Sequence, residues 1–176
     1  YYKRHKGNAL NEIDEIKKSD STPFKVFTPF WRTAEQIYLN QPPSKNYFVK
    51  KKTKAINFFK NSIDLKNILP NKKWYEKFDK YWKVSENDSQ KILKDLLENK
   101  IKDYGTNRDI PSINGTSRLS PYLKFGQIHV NTIWKKCNEL KSKGIGYRKY
   151  INELGWREFS HSLINYFPEF LKGNFR

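Results

Sequence analysis

Two stretches of this chain carry residue types at spacings that could do chemistry. The first is Gly115-Thr-Ser-Arg-Leu-Ser-Pro-Tyr-Leu-Lys-Phe-Gly126. A turn rich in small hydroxyls that leads into a helix start offers free backbone N–H groups, hydroxyl donors and the positive end of a helix dipole. That set suits a phosphate, with Arg118 as an added cation or a structural tie. An ordinary N-capped helix after a turn accounts for the same residues more simply. The second stretch holds Tyr150, Glu153, Trp156 and Arg157. At about 100° per residue on a helix these four share roughly a third of the circumference. One face then presents two aromatics, a carboxylate and a guanidinium, enough to stack a flat ligand, bond its polar edge and reach a phosphate. The plainer alternative is a Glu153–Arg157 surface pair at i, i+4, worth about 0.2–0.5 kcal/mol, with Trp156 in the core.

Other chemistries find little support. His5, His129 and His161 lie far apart with no second ligand at metal-binding spacing, so they read as solvated or structural and no metal site is expected. Ser117 and Ser120 have no histidine partner for hydrolysis. Cys137 is the only cysteine, which excludes a disulfide framework and fits a reducing compartment. No apolar run approaches the roughly 20 residues of a membrane span, and no secretion signal is visible at the start. A cytoplasmic protein is expected. Lys and Arg number 35 against 18 Asp and Glu, a net charge of +17. Such an excess attracts polyanions, nucleic acid above all, although the joint abundance of Lys, Asn and Ile also accounts for much of it. The chain contains no methionine, not even at position 1, and is expected to be an internal piece of a longer protein.

The elements that must position these residues read as helices. Residues 1–22 are polar, with a short amphipathic patch from Leu10 to Ile16. Thr28-Pro29 pairs an N-cap with a proline at the first helical position, and Phe30, Ala34, Ile37 and Tyr38 follow at helical spacing. Asn40 to Ser44, with two prolines, ends that helix. Residues 45–84 carry Lys50-Lys51-Lys52 and scattered aromatics (Phe58, Phe59, Trp74, Tyr75, Tyr81, Trp82) without periodicity. This stretch is expected to be a long connector pinned by its aromatics to a neighbouring surface, marking a domain boundary. Ile92, Leu93, Leu96, Leu97, Ile101 and Tyr104 then repeat as one amphipathic helix. A loop spans Asn107 to Gly115, Ser120-Pro121 opens another helix, Val130 to Leu140 forms the next, and a last one runs from about Gly146 to Phe167.

Three motifs in order resemble the photolyase/cryptochrome family. Val26-Phe-Thr-Pro-Phe-Trp-Arg32 resembles its linker motif. Lys102-Asp-Tyr-Gly-Thr-Asn-Arg-Asp-Ile-Pro111, followed by the Gly115–Gly126 stretch, resembles the start of its flavin-binding domain. Asn152-Glu-Leu-Gly-Trp-Arg-Glu-Phe159 resembles the helix at its active-site floor. The chain is most like a class I cyclobutane pyrimidine dimer photolyase. The resemblance implies a mainly α fold: the N-terminal half of the FAD-binding helical domain at 85–176, preceded by an interdomain connector at 23–84 and a tail of an α/β antenna domain at 1–22.

The resemblance also assigns roles. Tyr104, Thr116, Ser117, Arg118, Leu119 and Ser120 would hold FAD, mainly at its phosphates, and Tyr150 would lie against the flavin and substrate cavity. Arg108 and Arg157 would face DNA. Glu153 would hydrogen-bond a flipped-out dimer and stabilise its radical anion, with Trp156 as a stacking wall. Eversion of the poorly stacked lesion costs less than eversion of a normal base. The implied activity is light-driven electron transfer from reduced FAD to the dimer, in a protein that is a monomer at full length and carries an antenna chromophore outside this chain. Alternatives are a cryptochrome-like blue-light receptor and a flavin-free basic DNA-binding module. The piece alone is expected to bind FAD poorly and to be inactive.

Overall fold

The computed structural model describes residues 7–39 and 72–174. Among them all regular structure is helical and no strand occurs. The chain divides into two compact units, Tyr1–Pro42 with Val84–Arg176, and Pro43–Lys83. The first helix of the stretch expected to be a connector, 23–84, belongs to the larger unit.

That helix, α1, spans Phe27–Leu39 and buries Phe30, Trp31, Ala34 and Tyr38. It starts ahead of the expected Thr28 cap, placing Pro29 third in the helix. The first-turn N–H groups have no intrahelical partner, so proline costs no hydrogen bond there either. The helix ends at Leu39, where the sequence places its stop. The cluster at Lys50 to Lys52, and Phe58 and Phe59, lie outside the described residues.

In the smaller unit, Trp74–Lys80 forms a 3₁₀ helix. The rings of Tyr75 and Phe78 each meet Trp74 edge-on at about 6 Å. Trp74, Phe78 and Tyr81 are more than half exposed.

Helix α2, Glu86–Asp95, is capped by Ser85, whose hydroxyl accepts the Asp88 N–H at 3.0 Å. The single helix expected through Tyr104 is interrupted. Leu96–Lys100 forms a π turn, and the helix resumes as α3, Tyr104–Asn107, only after a bend. The apolar spacing is the same in both descriptions, so periodicity could not reveal the inserted turn. Close packing explains the bend. A side chain on Gly146 would overlap the Ile101 and Lys102 carbonyls, so those carbonyls sit directly on the start of the last helix.

Helix α4 is short, Ser120–Lys124, with Pro121 in its first turn. Helix α5, Val130–Asn138, buries Val130, Ile133, Trp134 and Cys137. Burial pushes the Cys137 thiol up to about 12, which leaves it unreactive at neutral pH. Helix α6, Ile145–Tyr166, is the longest element and meets most of the others. Trp31 packs between α5 and α6, with its ring edge-to-face with Trp134 at 5.9 Å and its Nε1–H donating to Asn152 Oδ1 at 3.1 Å.

Residues 7–22 lie against this helical unit. The Leu10 N–H donates to Glu158 Oε2 at 2.8 Å, and the Tyr166 hydroxyl donates to Asp14 at 2.6 Å. Leu10 and Ile16, the ends of the amphipathic patch, are buried.

Candidate functional site

The hydroxyl-rich turn, α3 and α6 converge. Gly115 lies so close to Asn107 at the end of α3 that a side chain would not fit between them. The Ser117 hydroxyl lies near enough to the Tyr150 hydroxyl on α6 to act on its pKa. Tyr150 in turn meets Tyr104 of α3 edge-to-face, with ring centroids 5.0 Å apart. Tyr150 is only 3% exposed, and Tyr104 is also buried. Burial raises both phenol pKa values; the nearby Ser117 hydroxyl partly opposes this at Tyr150, and the Arg108 charge does so at Tyr104. Both tyrosines are neutral scaffolding behind the turn at physiological pH.

The turn itself is outward-facing. Thr116, Arg118 and Ser120 are exposed, while Leu119 anchors the turn in the core. Arg118 has a φ of 52°, a left-handed conformation that costs a non-glycine residue roughly 1–2 kcal/mol. Strain of this kind clusters where a loop must present groups in a set direction. Two hydroxyls, a guanidinium and a sharply turned backbone form a donor set that fits the phosphates of a dinucleotide. The simple helix cap weighed above does not describe the turn: Leu119, not Ser120, occupies the cap position, and no side chain caps α4.

At the outer rim, Arg108 closes α3. Its Nη1 pairs with Glu153 Oε1 across to α6, its Nε lies 3.2 Å from Asp109 Oδ1, and its guanidinium sits 5.7 Å from the Tyr104 ring centroid. Partial burial pulls the Arg108 pKa down, but the adjacent Glu153 carboxylate more than reverses this, so the guanidinium stays charged.

The four-residue face of α6 is divided among neighbours. Tyr150 and Glu153 turn toward α3. The ring of Trp156 instead lies flat on Phe27 of α1, with centroids 3.7 Å apart and planes 9° from parallel, and remains 47% exposed. Arg157 does not form the i, i+4 pair with Glu153 that is the plainer alternative from the sequence; its Nη1 donates to Glu158 Oε1 at 2.8 Å.

Sequence reasoning missed two residues. Phe27, within the first motif, supplies the surface on which Trp156 rests. Glu158 is a buried carboxylate that accepts from the Leu10 N–H, Arg157 and Tyr38. A signal for Glu158 existed, because it follows Ile151 and Leu154 on one apolar stripe. His129 accepts the Asn131 N–H through Nδ1 as the cap of α5, a structural role. Among the described residues no cluster of three or more His, Cys, Asp or Glu could hold a metal, and no helix is long and apolar enough to cross a membrane.

The helical fold resembles part of the photolyases. The chain superposes on the crystal structure of a bacterial class III photolyase from Agrobacterium tumefaciens with a TM-score of 0.77 and 28% identity, covering 93% of this chain and 34% of that one. Its sequence is 31% identical over 169 residues to the deoxyribodipyrimidine photo-lyase of Agrobacterium fabrum, covering 93% of this chain and 34% of the relative. It is 30% identical over 167 residues to that of Buchnera aphidicola from Acyrthosiphon pisum, covering 92% and 33%. The mitochondrial enzyme of Saccharomyces cerevisiae is 29% identical over 180 residues, covering 86% and 30%. The chain is thus homologous to the deoxyribodipyrimidine photo-lyases and spans about a third of their length. No family model matches it. The similarity does not extend to the class I subdivision expected from the sequence, since the solved relative is a class III photolyase.

Proposed function

We propose that this chain supplies the phosphate-binding turn and part of the DNA-facing rim of a deoxyribodipyrimidine photo-lyase acting on cyclobutane pyrimidine dimers. The observation that carries the reading is the meeting of the two chemistry-bearing stretches. Ser117 of the turn lies near the Tyr150 hydroxyl of α6, and Glu153 stands one turn further along the same helix. A group held by the turn and a base presented to Glu153 would therefore share one neighbourhood.

In this reading Thr116, Ser117, Arg118 and Ser120 hold the phosphates of FAD, and Tyr104 and Tyr150 form the wall that supports the turn. When bound in its reduced form, FAD supplies the electron that light delivers to the lesion, and the protein's part is binding and orientation. Glu153 accepts hydrogen bonds from the flipped-out pyrimidines, and the exposed part of Trp156, backed by Phe27, offers an apolar surface beside them. Arg108 and Arg157 lie toward the phosphate backbone, in keeping with the chain's positive charge. A carboxylate at position 153 with tryptophan at 156 favours cyclobutane dimers as substrate; the class I subdivision is not needed for this.

Light-dependent loss of cyclobutane dimers from ultraviolet-irradiated DNA, measured with the full-length protein that contains this chain, tests the proposal. Glu153→Ala is expected to lower repair while the flavin absorbance is retained. Unchanged repair in that variant would remove Glu153 from the reaction. A flavin-bearing protein that never repairs DNA would favour the light-receptor reading.

A further inference from the structure

Arg108 and Glu153 have been assigned separate partners, a DNA phosphate and a pyrimidine edge, yet the structure pairs them with each other. Arg108 Nη1 engages Glu153 Oε1, and the side chains are 25% and 34% exposed. The guanidinium is also held by Asp109 at 3.2 Å and lies near the face of Tyr104. A carboxylate oxygen in ion-pair contact with a guanidinium has less capacity for an N–H of a base. Arg108 cannot release it by losing a proton, because arginine stays charged in proteins. It can release it by exchanging one anion for another, and a phosphodiester matches the same planar fork.

We propose that Arg108 is a latch on Glu153. In the free protein it covers the carboxylate, and in the complex a backbone phosphate of DNA draws it away, so that Glu153 becomes available only when DNA is bound. The proposal rests on the DNA-repair reading for the identity of the polyanion. The placement favours such an exchange. Arg108 sits at the end of a short helix, is partly exposed, and is held by two carboxylates that themselves reach solvent. Linkage makes the effect reciprocal: whatever strengthens the Arg108–Glu153 pair must weaken DNA binding by the same factor.

The test uses the whole 176-residue chain and a short undamaged DNA duplex, with affinity measured by fluorescence anisotropy at several salt concentrations. Wild type, Glu153→Gln, Arg108→Gln and the double variant complete a cycle, and circular dichroism verifies that each is folded. Glu153→Gln is expected to tighten binding about three- to fivefold, the scale of a partly exposed ion pair. It should also steepen the salt dependence by about one ion, because Arg108 no longer brings its own counter-charge. In the Arg108→Gln background the same change should have no effect. Should Arg108→Gln not fold, Arg108→Lys replaces it: the charge stays, the fork is lost, and the tightening by Glu153→Gln should shrink.

Equal tightening in both backgrounds would mean that only bulk charge is at work. No tightening in the wild-type background would make the pair a fixed tie. Either result overturns the latch while leaving the repair reading intact. Failure of every form to bind DNA would overturn the latch and count against the repair reading too.

Discussion

Replacing Gly155 with alanine tests how tightly α1 is seated on α6. In isolation the change favours the helix, since alanine is better than glycine in a helix interior by about 1 kcal/mol. The structure opposes it. A methyl group at position 155 would sit 2.5, 2.7 and 2.8 Å from three atoms of the Trp31 indole, where carbon atoms normally keep about 3.5–4.0 Å. The ring would have to retreat by roughly 1 Å. It has little freedom to do so, being buried, hydrogen-bonded to Asn152 and packed edge-to-face on Trp134. Overpacking of this kind costs about 1–3 kcal/mol, and a weakened Trp31–Asn152 hydrogen bond adds about 1 kcal/mol. Set against the helix gain, a net loss of about 1–3 kcal/mol remains. For a chain of this length that lowers the melting temperature by about 3–10 °C, readable by far-UV circular dichroism or urea denaturation. A melting temperature equal to or above wild type would show that Trp31 yields freely and that the fit between α1 and α6 is loose.

Two further substitutions probe the same unit. Burial raises the Glu158 pKa above its ordinary 4.5, despite the opposing Leu10 N–H, Arg157 and Tyr38 contacts. Between the ordinary and raised values the folded chain holds more protons than the unfolded one, so this group's stabilising effect diminishes as pH rises through that window. Glu158→Gln should therefore gain stability relative to wild type as pH climbs from near 4.5 toward neutrality, and thermal melts showing a constant or reversed difference would contradict the direction of the shift. Ser85→Ala removes the cap of α2 and should cost about 1 kcal/mol, about 2–4 °C in melting temperature; a smaller fall would mean that Asp88 or water serves the end of the helix equally well.

Helix positions were legible in the sequence because apolar spacing reports them directly. The end of α1 at Leu39 and the span of α6 lie within a residue or two of where the sequence puts them. The π turn at Leu96–Lys100 was not legible, since it preserves which residues are apolar and changes only how the backbone connects them. At the site, the residue types in the turn and on α6 suggested phosphate and aromatic chemistry, but not who would touch whom. An angular count on a helical wheel puts Glu153, Trp156 and Arg157 on one face. Each then finds a different partner, Arg108, Phe27 and Glu158, because α1, α3 and the N-terminal segment approach α6 from different sides. Those approaches depend on tertiary packing, which a local pattern does not encode.

The same packing explains why residues without chemistry of their own matter to this site. Gly146 admits the Ile101 and Lys102 carbonyls on one side of α6, and Gly155 admits Trp31 on another. The first close approach leads the chain into α3, and so to Tyr104 and Arg108. The second seats α1, and with it Phe27 beneath Trp156. Because both depend on the absence of a side chain, a single added methyl group would shift an entire neighbouring element and every functional group it carries. A catalytic geometry is typically sensitive to displacements of about 1 Å. The expected consequence is that substitutions at Gly146 and Gly155 perturb the site in distinct ways: the first disturbs the pairing of Arg108 with Glu153, the second the stacking of Trp156.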